Sequence, residues 1–104
     1  MPQILAMLVT AKLFARLRMA TGKDRVEVDI KGNKITDLLE QLATDYPVKE
    51  ILYDEKGRVV PLILVINNLE TARITETNTA SVNGLNKELK EGDVVSILEQ
   101  GCGA

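Results

Sequence analysis

Side chains equipped for covalent chemistry are scarce in this sequence. There is no histidine, and Cys102 is its one cysteine. Without histidine, neither a Ser-His-Asp triad nor a Cys-His nucleophile can be assembled, and the usual zinc ligand set is missing. One cysteine excludes an internal disulfide and a CxxC pair, and it fits a reducing compartment. The neighbouring carboxylates Asp54 and Glu55 lie in turn chemistry with Lys56 and Gly57. They read as hydrated, because nothing nearby predicts the burial that shifts a carboxylate pKa.

The chemistry that remains is that of the chain end. Gly101-Cys102-Gly103-Ala104 adds nothing to a core. Small residues at a chain end form either an inert tail or a substrate. A segment with almost no side chains can thread a narrow enzyme tunnel in extended form, where its carboxylate is activated. Ordering such a tail costs ~1–2 kcal/mol per residue, so a docking surface elsewhere must offset it. Phe14 and Leu98 are apolar residues at strand positions that look outward. They are either scattered surface apolars or a patch for a partner. Lys12, Arg16, Arg18, Lys23 and Arg25 form a local basic bias. That bias reads as a solvated face or as a docking surface for an acidic partner protein. A nucleic-acid patch would need more net positive charge and interleaved aromatics.

The elements that must position these residues follow from periodicity. Residues 9–15 alternate, with Val9, Ala11, Leu13 and Ala15 inward and Thr10, Lys12 and Phe14 outward, as in a strand with one buried face. After the turn residues Thr21-Gly22-Lys23-Asp24, Val26, Val28 and Ile30 alternate with charged neighbours, which makes an antiparallel partner strand. The period then changes. Ile35, Leu38, Leu39, Leu42, Ala43 and Tyr46 mark one face of an amphipathic helix, with Asp37 and Glu40 expected in its first turn and Pro47 ending it. Residues 48–53 read as a short helical turn. The continuous apolar run 61–66 reads as a central strand covered on both faces more closely than the first two. A weak strand is expected near 72–74, a short helical turn anchored by Leu85 and Leu89, and a last strand over 94–98.

The order gives an α+β fold: one mixed sheet of four to five strands with one main helix across one face, the β-grasp arrangement. The chain of 104 residues fits one domain. We expect that domain over residues 1–98 and a flexible tail over 99–104. Hydrophobic residues are 45% and aromatics only 3%, so the core must be aliphatic. A formal net charge of -2 gives no bulk attraction to nucleic acid or to an anionic membrane. The apolar start at residues 4–9 has no basic segment before it and runs into Lys12, Arg16 and Arg18. It reads neither as a signal peptide nor as a membrane span.

Four stretches carry a resemblance. They are Lys12-Leu13-Phe14-Ala15-Arg16-Leu17-Arg18 with Gly22, Thr36-Asp37-Leu38-Leu39-Glu40-Gln41-Leu42 with Tyr46-Pro47, Leu64-Val65-Ile66-Asn67, and Leu89-Lys90-Glu91-Gly92-Asp93-Val94-Val95-Ser96-Ile97. In this order, and running into a small-residue tail, they resemble the MoaD/ThiS family of ubiquitin-like sulfur carriers. The resemblance implies a β-grasp fold in a cytoplasmic protein that binds no cofactor. It implies no catalytic side chain either: the chain is a co-substrate whose C-terminal glycine is adenylated by a ubiquitin-activating-type adenylyltransferase using ATP. A sulfur donor protein or sulfide then converts that carboxylate to a thiocarboxylate. The family ends in Gly-Gly, whereas this chain ends in Gly103-Ala104. That ending resembles carriers for homocysteine or methionine synthesis whose terminal Ala is removed by a metalloprotease. On that reading Gly103 becomes the sulfur-bearing end once Ala104 is gone.

The leading expectation is therefore a sulfur carrier for sulfur amino acid synthesis, with Phe14 and Leu98 as the docking face. The rivals are the small subunit of molybdopterin synthase, whose partner would be the large subunit; a ubiquitin-like modifier joined to lysines; and a binding module with an inert tail. Cys102 is expected to be dispensable for carrying sulfur, because a free thiol of pKa ~8.5 is mostly protonated at neutral pH. Cys102→Ser should still yield thiocarboxylate by mass spectrometry, and complete loss of that product would assign the thiol a role in the transfer.

Overall fold

The computed structural model describes residues 6–74 and 87–99. Eight elements follow one another: β1 (Ala6–Leu13), α1 (Ala15–Thr21), β2 (Arg25–Lys31), α2 (Ile35–Asp45), α3 (Lys49–Leu52), β3 (Leu62–Ile66), β4 (Glu70–Ile74) and β5 (Val94–Glu99). The strands form one sheet in the order β2-β1-β5-β3-β4. β1 and β5 run parallel; β1–β2, β5–β3 and β3–β4 are antiparallel. This is the expected mixed sheet with a main helix across one face.

The core is the aliphatic one that the composition requires. Ile35, Leu38, Leu39 and Leu42 of α2 are fully buried, as are Val9, Ala11, Val28, Leu64 and Ile97 on the strands. Each Val, Leu or Ile among them contributes about 1.5–3 kcal/mol of burial. The amphipathic period of α2 and the two-residue period of the strands thus meet on one side of the sheet. The start of α2 is fixed by Asp37, whose Oδ2 accepts the Lys34 N–H at 3.0 Å. Gly32 leaves room for that carboxylate. A Cβ at its φ of +134° would lie 2.4 Å from the same oxygen. Glu40 falls in the second turn, one turn later than expected, because the helix begins at Ile35.

Four sequence expectations change. The alternation does not carry through residue 15. β1 ends at Leu13, and Ala15, exposed and at φ +50°, starts helix α1. The Phe14 carbonyl accepts the Leu17 and Arg18 N–H groups at 3.1 and 3.4 Å, Leu17 is buried, and Gly22 at φ +72° closes the helix. β3 is an interior strand, as expected, but is not covered on both faces. β5 is central, with Val95, Ser96 and Ile97 consecutively buried, while Ile63 and Val65 of β3 lie half-exposed on the helix-free face. Leu89 anchors no helical turn. It is buried in an extended segment, its N–H donating to the Asn33 carbonyl at 2.6 Å, and Leu85 lies outside the described residues. β5 also runs one residue further than expected, through Glu99.

The block 90–93 fastens the sheet at the end where β5 begins. Gly92 donates its N–H to the Leu8 carbonyl at 2.8 Å, and Leu8 returns its own N–H to the Glu91 carboxylate at 3.0 Å. Asp93 accepts the Lys90 N–H at 2.8 Å and the Asn67 side-chain amide at 3.0 Å. Asn67, at φ +54°, also accepts the Val94 N–H at 2.8 Å through its side chain. The β3–β4 turn and the approach to β5 are thereby one hydrogen-bonded unit. No helix among the described residues is long and apolar enough to cross a membrane.

Tyr53 gives the fold a readable alkaline limit. Its hydroxyl is buried with no hydrogen-bond partner among the described residues, and burial, with the Glu40 charge second, pushes its pKa up to about 12. The fold holds the neutral phenol, while the unfolded chain ionises near pH ~10. Stability is therefore unaffected by this group below pH ~10, falls as pH rises towards 12, and levels off above that. In a Tyr46→Phe background, tyrosinate absorbance should rise with a midpoint near 12. A midpoint near 10 would mean that the hydroxyl is solvated.

Candidate functional site

β1 and β5 are parallel neighbours, so both leave the sheet at the same end. Their register pairs Leu13 with Ile97. Phe14 is still extended, at φ -133° and ψ 158°, which carries the register one step further and sets Phe14 beside Leu98. Leu98 in turn faces Ile63 across the antiparallel β5–β3 pair. Side-chain alternation turns all three away from the face that α2 covers. Phe14 is 41% exposed, and Leu98 and Ile63 are half-buried. The result is an apolar strip across three strands at the point where the chain leaves β5. In the next row stand Lys12, Ser96 and Val65, also matched in register.

Helix α1 closes one side of this exit. Arg16 reaches Glu99, the last residue of β5: its Nε donates to Oε2 at 2.9 Å, and Nη2 donates to the same oxygen. The Glu99 side chain is only 5% exposed, whereas that of Arg16 is 62% exposed. A guanidinium that meets water and covers a buried carboxylate fits the weaker hydration of Arg over Lys. The pair ties the root of the chain end to the helix that follows Phe14.

The two outward apolars that the sequence singled out are thus brought together, on adjacent strands and one face. Gly101, Cys102, Gly103 and Ala104 lie outside the described residues. Sequence reasoning missed Ile63, whose place in a continuous apolar run looked like burial on both faces. It also missed the Arg16–Glu99 pair, since nothing local connects residues 83 positions apart. Asp54 proves to be a turn residue. It is held below the usual carboxylate range, first by the Arg58 backbone N–H and also by that of Lys56, each at 2.9 Å. Two shallow surface depressions flank Tyr53 on the helix layer, lined among others by Glu40, Lys49, Glu50 and Asp54. They lie apart from the exit of β5. Among the described residues no three His, Cys, Asp or Glu side chains gather to hold a metal ion. The arrangement sets an apolar strip beside the end of β5, and among the described residues no side chains form a nucleophile–base pair.

The sequence profile of the ThiS family matches residues 11–103. The fold is similar to the solution structure of small archaeal modifier protein 1 from Methanosarcina acetivorans, with 29% identity over 96% of this chain and 99% of that one, at a TM-score of 0.68. It is also similar to the crystal structure of the corresponding protein from Haloferax volcanii, with 22% identity, 93% and 99% coverage, and a TM-score of 0.72. No curated protein matches the chain.

The Arg16–Glu99 geometry makes an asymmetric stability prediction. Arg16→Ala removes a cation from beside a carboxylate that stays buried, and should cost about 2–3 kcal/mol. Glu99→Gln leaves a mostly exposed guanidinium that water can satisfy, and should cost about 1 kcal/mol. Denaturant titration of both variants measures the difference. Equal costs would show that the carboxylate is hydrated without Arg16.

Proposed function

The chain belongs to the ThiS family of ubiquitin-like β-grasp proteins, and from that premise we propose that it is a sulfur carrier for sulfur amino acid synthesis, loaded at Gly103 after removal of Ala104. The observation that carries this reading is the family match itself, which runs from β1 to Gly103. The geometry supports it: the chain end leaves the sheet beside an exposed apolar strip.

The chemistry follows from the weakness of a carboxylate as an electrophile. In an adenylyltransferase of the ubiquitin-activating type, the Gly103 carboxylate attacks the α-phosphorus of ATP and pyrophosphate leaves. Sulfide, free or delivered by a donor protein, then attacks the acyl carbon and expels AMP. One oxygen is exchanged for sulfur, and the thiocarboxylate is a nucleophile ready for an acceptor. No side chain of the carrier takes part. Its contribution is a terminus slim enough to enter the active site and a face that docks the enzyme. A Cβ at the final position would fill space that a glycine leaves open, which favours trimming of Ala104 before activation.

A second reading shares the adenylation step. One relative at 29% identity is a small archaeal modifier protein. A modifier would pass the activated acyl group to a lysine amine of a target protein instead of to sulfide.

The test compares the full chain with a chain ending at Gly103, each given ATP, the activating enzyme of the same cell and a sulfide source. Mass spectrometry should show oxygen-to-sulfur exchange only in the shorter chain, and Phe14→Asp with Leu98→Asp should abolish pyrophosphate exchange while preserving the fold. Loading of the full chain with Ala104 attached would refute the trimming step. Higher-mass lysine conjugates in place of thiocarboxylate would favour the modifier reading.

A further inference from the structure

Between positions 12 and 25 the sequence holds five basic residues and one acid, Asp24, a net +4 in a chain of net -2. The remainder of the chain therefore carries -6. The fold gathers this excess at one end. β1 finishes there, α1 and the turn at 22–24 connect β1 to β2, and β2 begins there with Arg25. Because β5 runs parallel to β1, the same end is where the chain leaves the sheet. Arg16 is engaged with Glu99. Lys12, Arg18, Lys23 and Arg25 make no ion pair among the described residues, and all but half-buried Lys12 are exposed. Lys12 stands in the row beside the strip formed by Phe14, Leu98 and Ile63, with Arg25 opposite it on β2, while Arg18 and Lys23 lie on α1 and the turn at the same end of the sheet.

One contact inside this group opposes folding. Lys12 and Arg25 are direct partners in the antiparallel β1–β2 register, with their side chains on the helix-free face. Like charges placed directly opposite on a sheet destabilise it. The nearest acid on that face of β2, Glu27, is one pair further along, opposite Thr10. An anionic surface brought against the face would relieve this repulsion.

We propose that the basic residues beside the chain exit form the rim of the docking surface, and that the partner's docking site is an apolar patch bordered by carboxylates. This rests on the reading above, in which the partner is the adenylating enzyme. A protein fits better than a nucleic acid. The net negative charge of the chain repels a long polyanion, whereas a compact acidic patch meets only the basic end within a Debye length of about 8 Å. The single aromatic at the site, Phe14, is too few for base stacking. Rim charges of this kind steer encounter and set partner choice more than they deepen affinity.

The experiment measures pyrophosphate exchange with the activating enzyme of the same cell, using the form of the chain that exchange shows to be active. Arg18→Glu combined with Arg25→Glu should raise KM about tenfold at low salt and leave kcat unchanged, and added salt should shrink the difference from wild type. Lys49→Glu with Lys56→Glu makes the same charge change in the helix layer and should leave KM unchanged. Arg25→Glu alone should weaken exchange yet hold or raise the melting temperature, because it converts a like-charge pair into an opposite one. Loss of packing would move both downward together. If the double variant folds poorly, Arg18→Gln with Arg25→Gln should give a smaller rise in KM of the same kind. A KM indifferent to these changes and to salt, or one raised equally by the helix-layer variant, would overturn the proposal. So would a gel shift of transfer RNA by the wild type that the double variant loses. Absence of exchange with both the full chain and the chain ending at Gly103 would instead remove the underlying reading, and this inference with it.

Discussion

The parallel pairing of β1 with β5 is the constraint on which the rest of the molecule depends. It joins the first and last described strands, and the β1–β2 and β3–β4 hairpins are held in one sheet only because β5 lies between them. Parallel neighbours cannot be connected by a tight turn, so the intervening chain must cross over, and α2 fills that crossover as the helix on the core face. The entry to β5 is set by hydrogen bonds between residues 91–94 and Leu8 and Thr10 on one side and Asn67 on the other. Parallel direction then decides what lies at the far end. The chain leaves the sheet beside Phe14, because β1 stops at Leu13 and Phe14 extends its line by one residue.

The two faces of the sheet divide the work. The face under α2 carries the aliphatic core and the stability that comes with it. Among the described residues no helix covers the other face, where Ser96 is buried between Lys12 and Val65. The left-handed Ala15, at φ +50°, belongs to the same division. A non-glycine residue pays a conformational cost there. In return the backbone turns at once from strand into α1, and Arg16 comes within reach of Glu99.

What the sequence disclosed and what it hid separate along local and non-local lines. The parity of Phe14 is a property of β1 and its extension, and that of Leu98 is a property of β5, so both outward positions could be read without the fold. That the two strands are neighbours is non-local, and so is their meeting with Ile63. Helix α1 was concealed for a different reason: the alternating pattern continues two residues past the strand, and only one side chain of the seven-residue helix, Leu17, is buried. The open face of β3 was hidden by its own apolar residues. Ile63 and Val65 look like core until the sheet is seen to have a face without a helix. The four-residue tail was the strongest functional signal in the sequence, and it draws its meaning from the family rather than from packing.

A carrier of the proposed kind also has an energetic reason for combining a narrow apolar strip with a charged rim. Threading its end costs ~1–2 kcal/mol for each residue ordered. Full burial of an exposed Leu, Ile or Phe returns about 1.5–3 kcal/mol, and Leu98 and Ile63 are half-buried before any partner arrives. The strip therefore offsets only part of the tail's ordering, and binding settles at a modest affinity. Rim charges do not change that conclusion greatly, since their desolvation cancels much of their attraction, but they raise the rate of encounter. Fast arrival with weak retention suits a chain that must visit an activating enzyme, leave it loaded, and reach an acceptor. A larger apolar face would bind the first partner more tightly and delay the second.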